Sequence, residues 1–384
     1  MSTPRYDTIV LGLGTFGSAA AAELAQRGKK VLGLERFSIP HMLGSHHGHS
    51  RVFRTAYFEH PDYVPLLRTA HKRWIELDRK KGGGVFHQTG ALYAGPKGCR
   101  TIEGAMLSAK QHRLDVQRLS PRDLEQRYPQ IRVPEGFDAL WETCAGMIVP
   151  EMAVSLMARE AMAKGAELHG HEPVLEWHAD RSGVRVTTAK ATYEAGSLVI
   201  AAGAWSGQFL RELLAKAGLK LKVTRQSLAW YWPRRPALFG MTAFPVWAIE
   251  NEQGLFHYGF PMQNSPPGLK IALHREGPTL DPDSPDRSAR PEDEAETREA
   301  LRRYFPDADG PLLSLSTCLY TNSPDGHPVV DLHPEHPNVS FITGCSGHGF
   351  KFAPVFGEVL ADLAMHGKTD HGVGFLGLKR FKKS

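Results

Sequence analysis

The residues best able to do chemistry fall into four groups. Gly12, Gly14 and Gly17 stand in the spacing Gly-x-Gly-x-x-Gly, with Glu35 downstream. In such a turn the first glycine bends the chain, the second lets backbone approach a pyrophosphate, and the third lets a helix pack on a strand. The helix N-terminus then offers free N–H groups to phosphate oxygens, and Glu35 stands where an acid binds a ribose hydroxyl. NAD and FAD are both held this way, and the glycines do not separate them. The second group is Arg51 and Arg54, with Val52 and Phe53 between them. Those apolar neighbours argue for a partly buried segment, and a buried arginine needs a phosphate, a carboxylate side chain or a substrate carboxylate. Third, His46, His47 and His49 crowd one loop. No carboxylate or cysteine completes a ligand set at the usual spacing, so a loop crossing near a cofactor fits better than a metal site. Fourth, Lys270 and His274 alternate with Leu269, Ile271 and Leu273. On a strand the two sets point to opposite faces, and Phe256, Tyr258 and Phe260 share a face of the strand before. That sheet face is either half solvated or the roof of an active site.

The elements that must position these residues follow from hydrophobic spacing. Ile9, Val10 and Leu11 form a buried parallel strand, residues 18–27 an Ala-rich helix stopped by Gly28, and residues 31–34 a second strand ending at Glu35. Leu66, Leu67, Ala70, Trp74 and Leu77 give an amphipathic helix over 63–79, broken by Gly82, Gly83 and Gly84. Beyond it the texture changes to short strands and charged helical pieces at 107–111 and 123–128, as if a second domain begins there. A helix at 152–164 and strands at 183–188 and 198–203 follow, the last leading into Gly203 and Trp205. Strands are expected at 228–232, 246–250, 255–260 and 269–273, then a polar loop at 281–290. Residues 291–304 read as a surface helix and nothing more, with Pro first, acids early and arginines late, as the dipole prefers.

With 384 residues the chain is long enough for two domains, and 41% hydrophobic and 23% charged residues are those of a globular protein. The net charge of +5 is mild. Basic residues are scattered apart from Lys379, Arg380, Lys382 and Lys383, read as a solvated tail, so no nucleic-acid partner is expected. Cys99, Cys144, Cys318 and Cys345 show neither metal-ligand spacing nor a disulfide framework. The chain enters a strand almost at once, which argues against a signal peptide, and no apolar run is long enough to span a membrane. A cytoplasmic protein is expected.

The last quarter carries a family pattern. Thr317-Cys318-Leu319-Tyr320 leads to Gly344-Cys-Ser-Gly347-His348-Gly349-Phe-Lys351-Phe352 and a helix at 355–365. With Ser45 through Arg54, Tyr258 through Pro261, and Gly268 through His274, this resembles the monomeric sarcosine oxidase and N-methyltryptophan oxidase family of flavoenzymes along nearly the whole chain. The resemblance implies FAD attached covalently through Cys318, by a thioether to the flavin 8α-methyl group. Lys270 matches the lysine lying over the flavin where oxygen reacts, and Arg51 an arginine beside the flavin ring. Arg54 and Lys351 match the pair that binds the substrate carboxylate. Tyr258, His274 and Tyr320 match other pocket residues. Gly12, Gly14, Gly17, Glu35, His47, Gly203, Gly347, Gly349 and Lys351 are the further expected cofactor contacts. Two departures, His49 in place of an acid and a 263–267 loop one residue longer, fall near the expected pocket and bear on the substrate.

The implied reaction takes a hydride from the carbon next to nitrogen of a secondary amino acid to flavin. The resulting imine hydrolyses to amine and aldehyde, and oxygen becomes hydrogen peroxide. The expected fold is α/β, with a discontinuous FAD-binding, Rossmann-like domain of the glutathione-reductase type (1–84, 145–220 and 325–384). A substrate domain on a mixed β-sheet (85–144 and 221–324) completes it. Sarcosine, N-methyltryptophan, pipecolate and a glycated amino acid all carry the carboxylate and secondary amine such a site holds. Two rivals are an NAD(P)-dependent dehydrogenase and a flavin-binding module without catalysis. Monomer is the implied state.

Overall fold

A short apolar run is covered on both faces in the middle of a parallel sheet, and that is where the first strand lies. In the computed structural model, which describes residues 5–381, strand Arg5–Leu11 runs parallel to Val31–Leu34 on one side and to Thr192–Ile200 on the other. Glu167–His169 extends the sheet beyond Val31–Leu34, and Val339–Thr343 runs parallel to the end of Thr192–Ile200. Antiparallel strands Gly183–Thr188, Val174–Asp180 and Val329–Leu332 bring the sheet to eight. Helices Thr15–Gln26, Pro150–Ala163 and Ala353–His366 bury apolar stripes against one face of it. Gly17 permits that packing: a Cβ there would stand 1.7 Å from the Gly12 carbonyl oxygen.

The second sheet also has eight strands. Its order is Leu312–Asn322, Lys222–Tyr231, Pro267–His274, Phe256–Asn264, Val246–Glu250, Ala91–Pro96, Phe137–Glu142 and Val116–Leu119. Val246–Glu250 and Ala91–Pro96 pair in parallel and their neighbours antiparallel, so the sheet is mixed. Register puts Lys270 between Trp230 and Phe260, and Ala272 between Leu228 and Tyr258. Cys318 lies opposite Gln226 on the next strand. Alternation therefore sends Leu269 and Ile271 to one core and Lys270, Ala272 and His274 to the other face, as expected.

Two expectations need correction. The helix Pro291–Tyr304 is more than a surface helix: Ala300, Leu301 and Tyr304 pack behind the second sheet on Ala229, Tyr231 and Ile271. Asp293 in its first turn is buried and meets Arg225 at 2.7 Å, so this acid answers a buried guanidinium as well as the helix dipole. Nor is the basic tail simply solvated. Leu378 is buried, and Arg380 pairs with Asp325 at 2.7 Å. Lys382 and Lys383 lie outside the described residues.

Candidate active site

A cavity of about 450 Å³ runs between the two sheets. Gly12, Gly14, Glu35 and Gly203 line it on the first sheet; Cys318, Tyr320, Tyr258 and His274 line it on the second. Glu35 is buried and already accepts two backbone N–H bonds, from Leu13 at 2.9 Å and Phe37 at 3.0 Å. Those bonds fix the carboxylate at the end of its strand. Gly12 has φ +86°, and a Cβ there would meet the Ala201 carbonyl oxygen at 2.7 Å.

The opposite end is built from charge. Arg54 and Lys351, nearly three hundred residues apart in sequence, both line the cavity and are both buried. Of the three partners open to a buried arginine, Arg54 has a carboxylate side chain: Glu59 accepts from Nη2 at 2.5 Å. The guanidinium also stacks on Tyr57 and Phe58 at 4.2 and 4.3 Å. Burial alone would raise Glu59, but Arg54, with His348 and Lys351, brings it down to about 2. Lys351 donates to the His348 carbonyl oxygen at 2.6 Å. Burial and then Arg54 pull it down to about 7, against the opposing pull of Glu59. His348 is fixed by Tyr57, whose hydroxyl meets Nδ1 at 2.5 Å, and by the Gly326 carbonyl oxygen, which accepts from Nε2 at 2.7 Å. Burial lowers His348 to about 3 and His274 to about 4, so both rings are neutral near pH 7. His274 Nδ1 lies 3.2 Å from the Tyr320 hydroxyl.

Between these ends Arg51 holds the 45–50 loop together. It donates to the carbonyl oxygens of Ser45 at 2.9 Å, Ser50 at 2.8 Å and His47, and lies 3.5 Å from Cys318 Sγ. Three of the expected site residues do not line the cavity. Gly17 acts in helix packing. His47 is buried away from it, 2% exposed. Lys270 is 1% exposed and turns its ammonium to the Gly48 and Ser50 carbonyl oxygens, at 2.6 and 3.0 Å. Neither departure from the family pattern borders the cavity. His49 stands edge-on to Trp230, and the 263–267 segment forms the hairpin turn between two strands.

Comparison with known proteins gives the same direction. Residues 7–363 match the FAD dependent oxidoreductase family. The chain belongs to that family. Monomeric sarcosine oxidase of Streptomyces avermitilis is 40% identical over 381 residues, 98% of each chain. N-methyl-L-tryptophan oxidase of Salmonella heidelberg is 35% identical over 368 residues, 95% of this chain and 96% of the relative. The solved structure of NikD, an unusual amino acid oxidase essential for nikkomycin biosynthesis, superposes with a TM-score of 0.84 at 27% identity, covering 98% of each chain.

The residues present suit the cofactor of an FAD dependent oxidoreductase. Gly347 has φ +80°, and a Cβ there would press to 2.2 Å from the Tyr320 ring; Gly349 is similarly filled by Cys345. Gly12, Gly14, Gly347 and Gly349 all line the cavity, so backbone forms part of its wall, where an extended ligand can approach closely. Three acids were missed by sequence reasoning. Glu59 follows Arg54 by five residues inside the same apolar segment, and that spacing was the available signal. Glu142 accepts from Thr55 N at 2.6 Å and from the Tyr93 hydroxyl at 2.7 Å, while Glu151 accepts from Gly48 and His49. Their partners lie 49 to 103 residues away, which no local pattern reveals. Outside the cavity, His333, Glu335 and His336 cluster, but Glu335 is paired with Lys216 at 2.7 Å and its N–H is donated to His333 Nδ1.

Proposed function

We propose that the protein is a flavoprotein oxidase of a secondary, N-methyl amino acid such as sarcosine. It forms an imine that water hydrolyses to amine and aldehyde, with O2 reduced to H2O2. The observation that carries this reading is the convergence of Arg54 and Lys351 on one cavity with Tyr258, His274, Tyr320 and Cys318. FAD, when bound, accepts hydride from the carbon next to nitrogen and passes electrons to oxygen. Arg54 and Lys351 hold the substrate carboxylate, the arginine through its planar fork and the lysine as a point charge. Their positive charge also favours the neutral amine, the form that reacts. Tyr258, Tyr320 and the neutral His274 wall the reacting carbon. Arg51 holds the cofactor loop, and Lys270 supplies the positive charge beside which negative charge develops on oxygen. Cys318, buried at the cavity wall and 3.5 Å from Arg51, is the attachment point for the flavin.

The two-sheet layout supports dividing the chain into the FAD-binding segments 1–84, 145–220 and 325–384 and the substrate segments 85–144 and 221–324. The names of the sarcosine oxidase relatives support a monomer, and its four free cysteines accord with a cytoplasmic location. Among the described residues no helix is long and apolar enough to cross a membrane. A panel of N-alkyl amino acids, read by peroxide release, tests the reaction; absence of peroxide with every member refutes it. Acid-precipitated protein should stay yellow and give a flavin peptide containing Cys318. Flavin released wholly into the supernatant would refute the linkage and leave the reaction standing.

A further inference from the structure

We infer that Glu151 is a positioning residue for Lys270, acting through the turn at Gly48 and His49. Glu151 sits in the first turn of helix Pro150–Ala163. Its Oε1 accepts the N–H groups of Gly48 at 2.8 Å and His49 at 3.0 Å. Both residues lie in left-handed backbone, φ +114° and +65°, which His49 adopts only at a cost. The reward is geometric. The turn aims the Gly48 and Ser50 carbonyl oxygens and the Ser50 hydroxyl at Lys270 Nζ, at 2.6, 3.0 and 3.2 Å. An ammonium has three protons, and this one turn supplies three acceptors. Trp230 and Phe260 close other sides of the charge, at 5.5 and 4.8 Å to their ring centres.

The clamp is charged as well as shaped. Burial would raise Glu151, yet the His49 N–H bond, with His49 and Arg51 nearby, holds it below the usual carboxylate range. Among the described residues its buried Oε2 has no hydrogen-bond partner, so the turn is what this carboxylate binds. Of the charged groups acting on Lys270, Arg51 adds to the lowering by burial and Glu151 opposes it; Cys318 would oppose it only as a free thiolate, a form that the proposed flavin thioether removes. Glu151 thus fixes where the ammonium points and favours its staying charged. The inference rests on Lys270 being the group beside which oxygen reacts.

The test uses the flavin-loaded protein. In Glu151→Leu, amide exchange at Gly48 and His49 should quicken. Reoxidation by oxygen should slow by about ten- to a hundredfold, the scale for a reacting group moved off its mark, while anaerobic reduction by substrate changes little. Adding Glu151→Leu to Lys270→Met should slow reoxidation no further. If Lys270→Met alone reoxidises at the parent rate, the reading of Lys270 fails and this inference with it. If Lys270→Met is slow but Glu151→Leu is not, or Glu151→Leu costs as much in both backgrounds, only the inference on Glu151 is overturned. Should Glu151→Leu not fold, Glu151→Gln keeps an acceptor for both N–H groups and removes the charge. Arg51 then acts on the ammonium with less opposition, so reoxidation should fall off at lower pH than in the parent. Superimposed pH profiles would overturn the inference.

Discussion

Gly12, Gly14 and Gly17 act by what they lack, whereas Arg54, Glu59 and Lys351 act by charges that would be costly elsewhere in the fold. The two ends of one cavity therefore rest on different physics. At the glycine end the wall is backbone, its shape follows from a short local motif, and the parts lie within a few residues of one another. At the cationic end the wall is a cluster of buried charges brought from positions 54, 59 and 351, each of which shifts the others. A shape built from backbone fails abruptly when crowded. A charge cluster shifts by degrees, because each charge acts on the others across a distance and removing one resets the rest.

The largest effect should come from crowding the first end. A Cβ on Gly17 would lie 1.7 Å from the Gly12 carbonyl oxygen, and neither backbone can yield without parting helix from strand. Gly17→Ala should take up little flavin as it is made, read as the flavin-to-protein absorbance ratio of the purified protein. A fully loaded Gly17→Ala protein would mean that this helix does not have to pack where the structure puts it.

At the other end the response should be graded and of two signs. Arg54→Met removes a charge-assisted hydrogen bond and should weaken carboxylate inhibitors by roughly ten- to over a hundredfold. Glu59→Gln does the reverse, because a substrate carboxylate no longer competes with the acid that Arg54 holds at 2.5 Å. Carboxylate affinity should rise, while ligand-free stability falls by about 3–5 kcal/mol, the scale for stranding a buried charge. Adding the inhibitor should restore much of the lost Tm. Weaker carboxylate binding in Glu59→Gln would show that Glu59 shapes Arg54 for the ligand rather than competing with it.

Legibility in the sequence follows the same division. The glycine motif and the strands around it are local, and they stand where spacing put them. So does the alternation of Lys270 and His274 with Leu269 and Ile271, because period two is a property of one strand. Lys270 nevertheless faces the carbonyls of a turn 220 residues earlier rather than the open cavity. Glu59, Glu142, Glu151 and Asp293 were missed for a related reason. An acid in a sequence is by default solvated, and only the fold brings it the buried arginine, tyrosine or peptide N–H that makes it structural. Resemblance supplied the long-range pairings, such as Arg54 with Lys351, that spacing alone did not.

The smallest expected effect concerns Lys351, and it separates charge from shape at the cationic end. Its ammonium titrates near pH 7, well below the ordinary 10.5, first because it is buried and then because Arg54 stands beside it. The groups acting on it do not change protonation through that range: burial and charge place Glu59 at about 2 and the neutral Cys345 thiol at about 12, and Arg51 and Arg54 are raised above their usual values. A simple carboxylate without an amine should therefore bind best below pH 7 and lose affinity as pH rises through it. Because Arg54 remains charged, the loss should stop at about tenfold, the lower end for one charged hydrogen bond. Stability should move the other way. The unfolded chain holds this proton up to about 10.5 and the folded chain releases it near 7, so this group's contribution to stability rises with pH between those values. Lys351→Met should flatten both profiles, measured as inhibitor Kd and as Tm. A Kd profile in Lys351→Met that still bends at pH 7 would place the titrating group elsewhere.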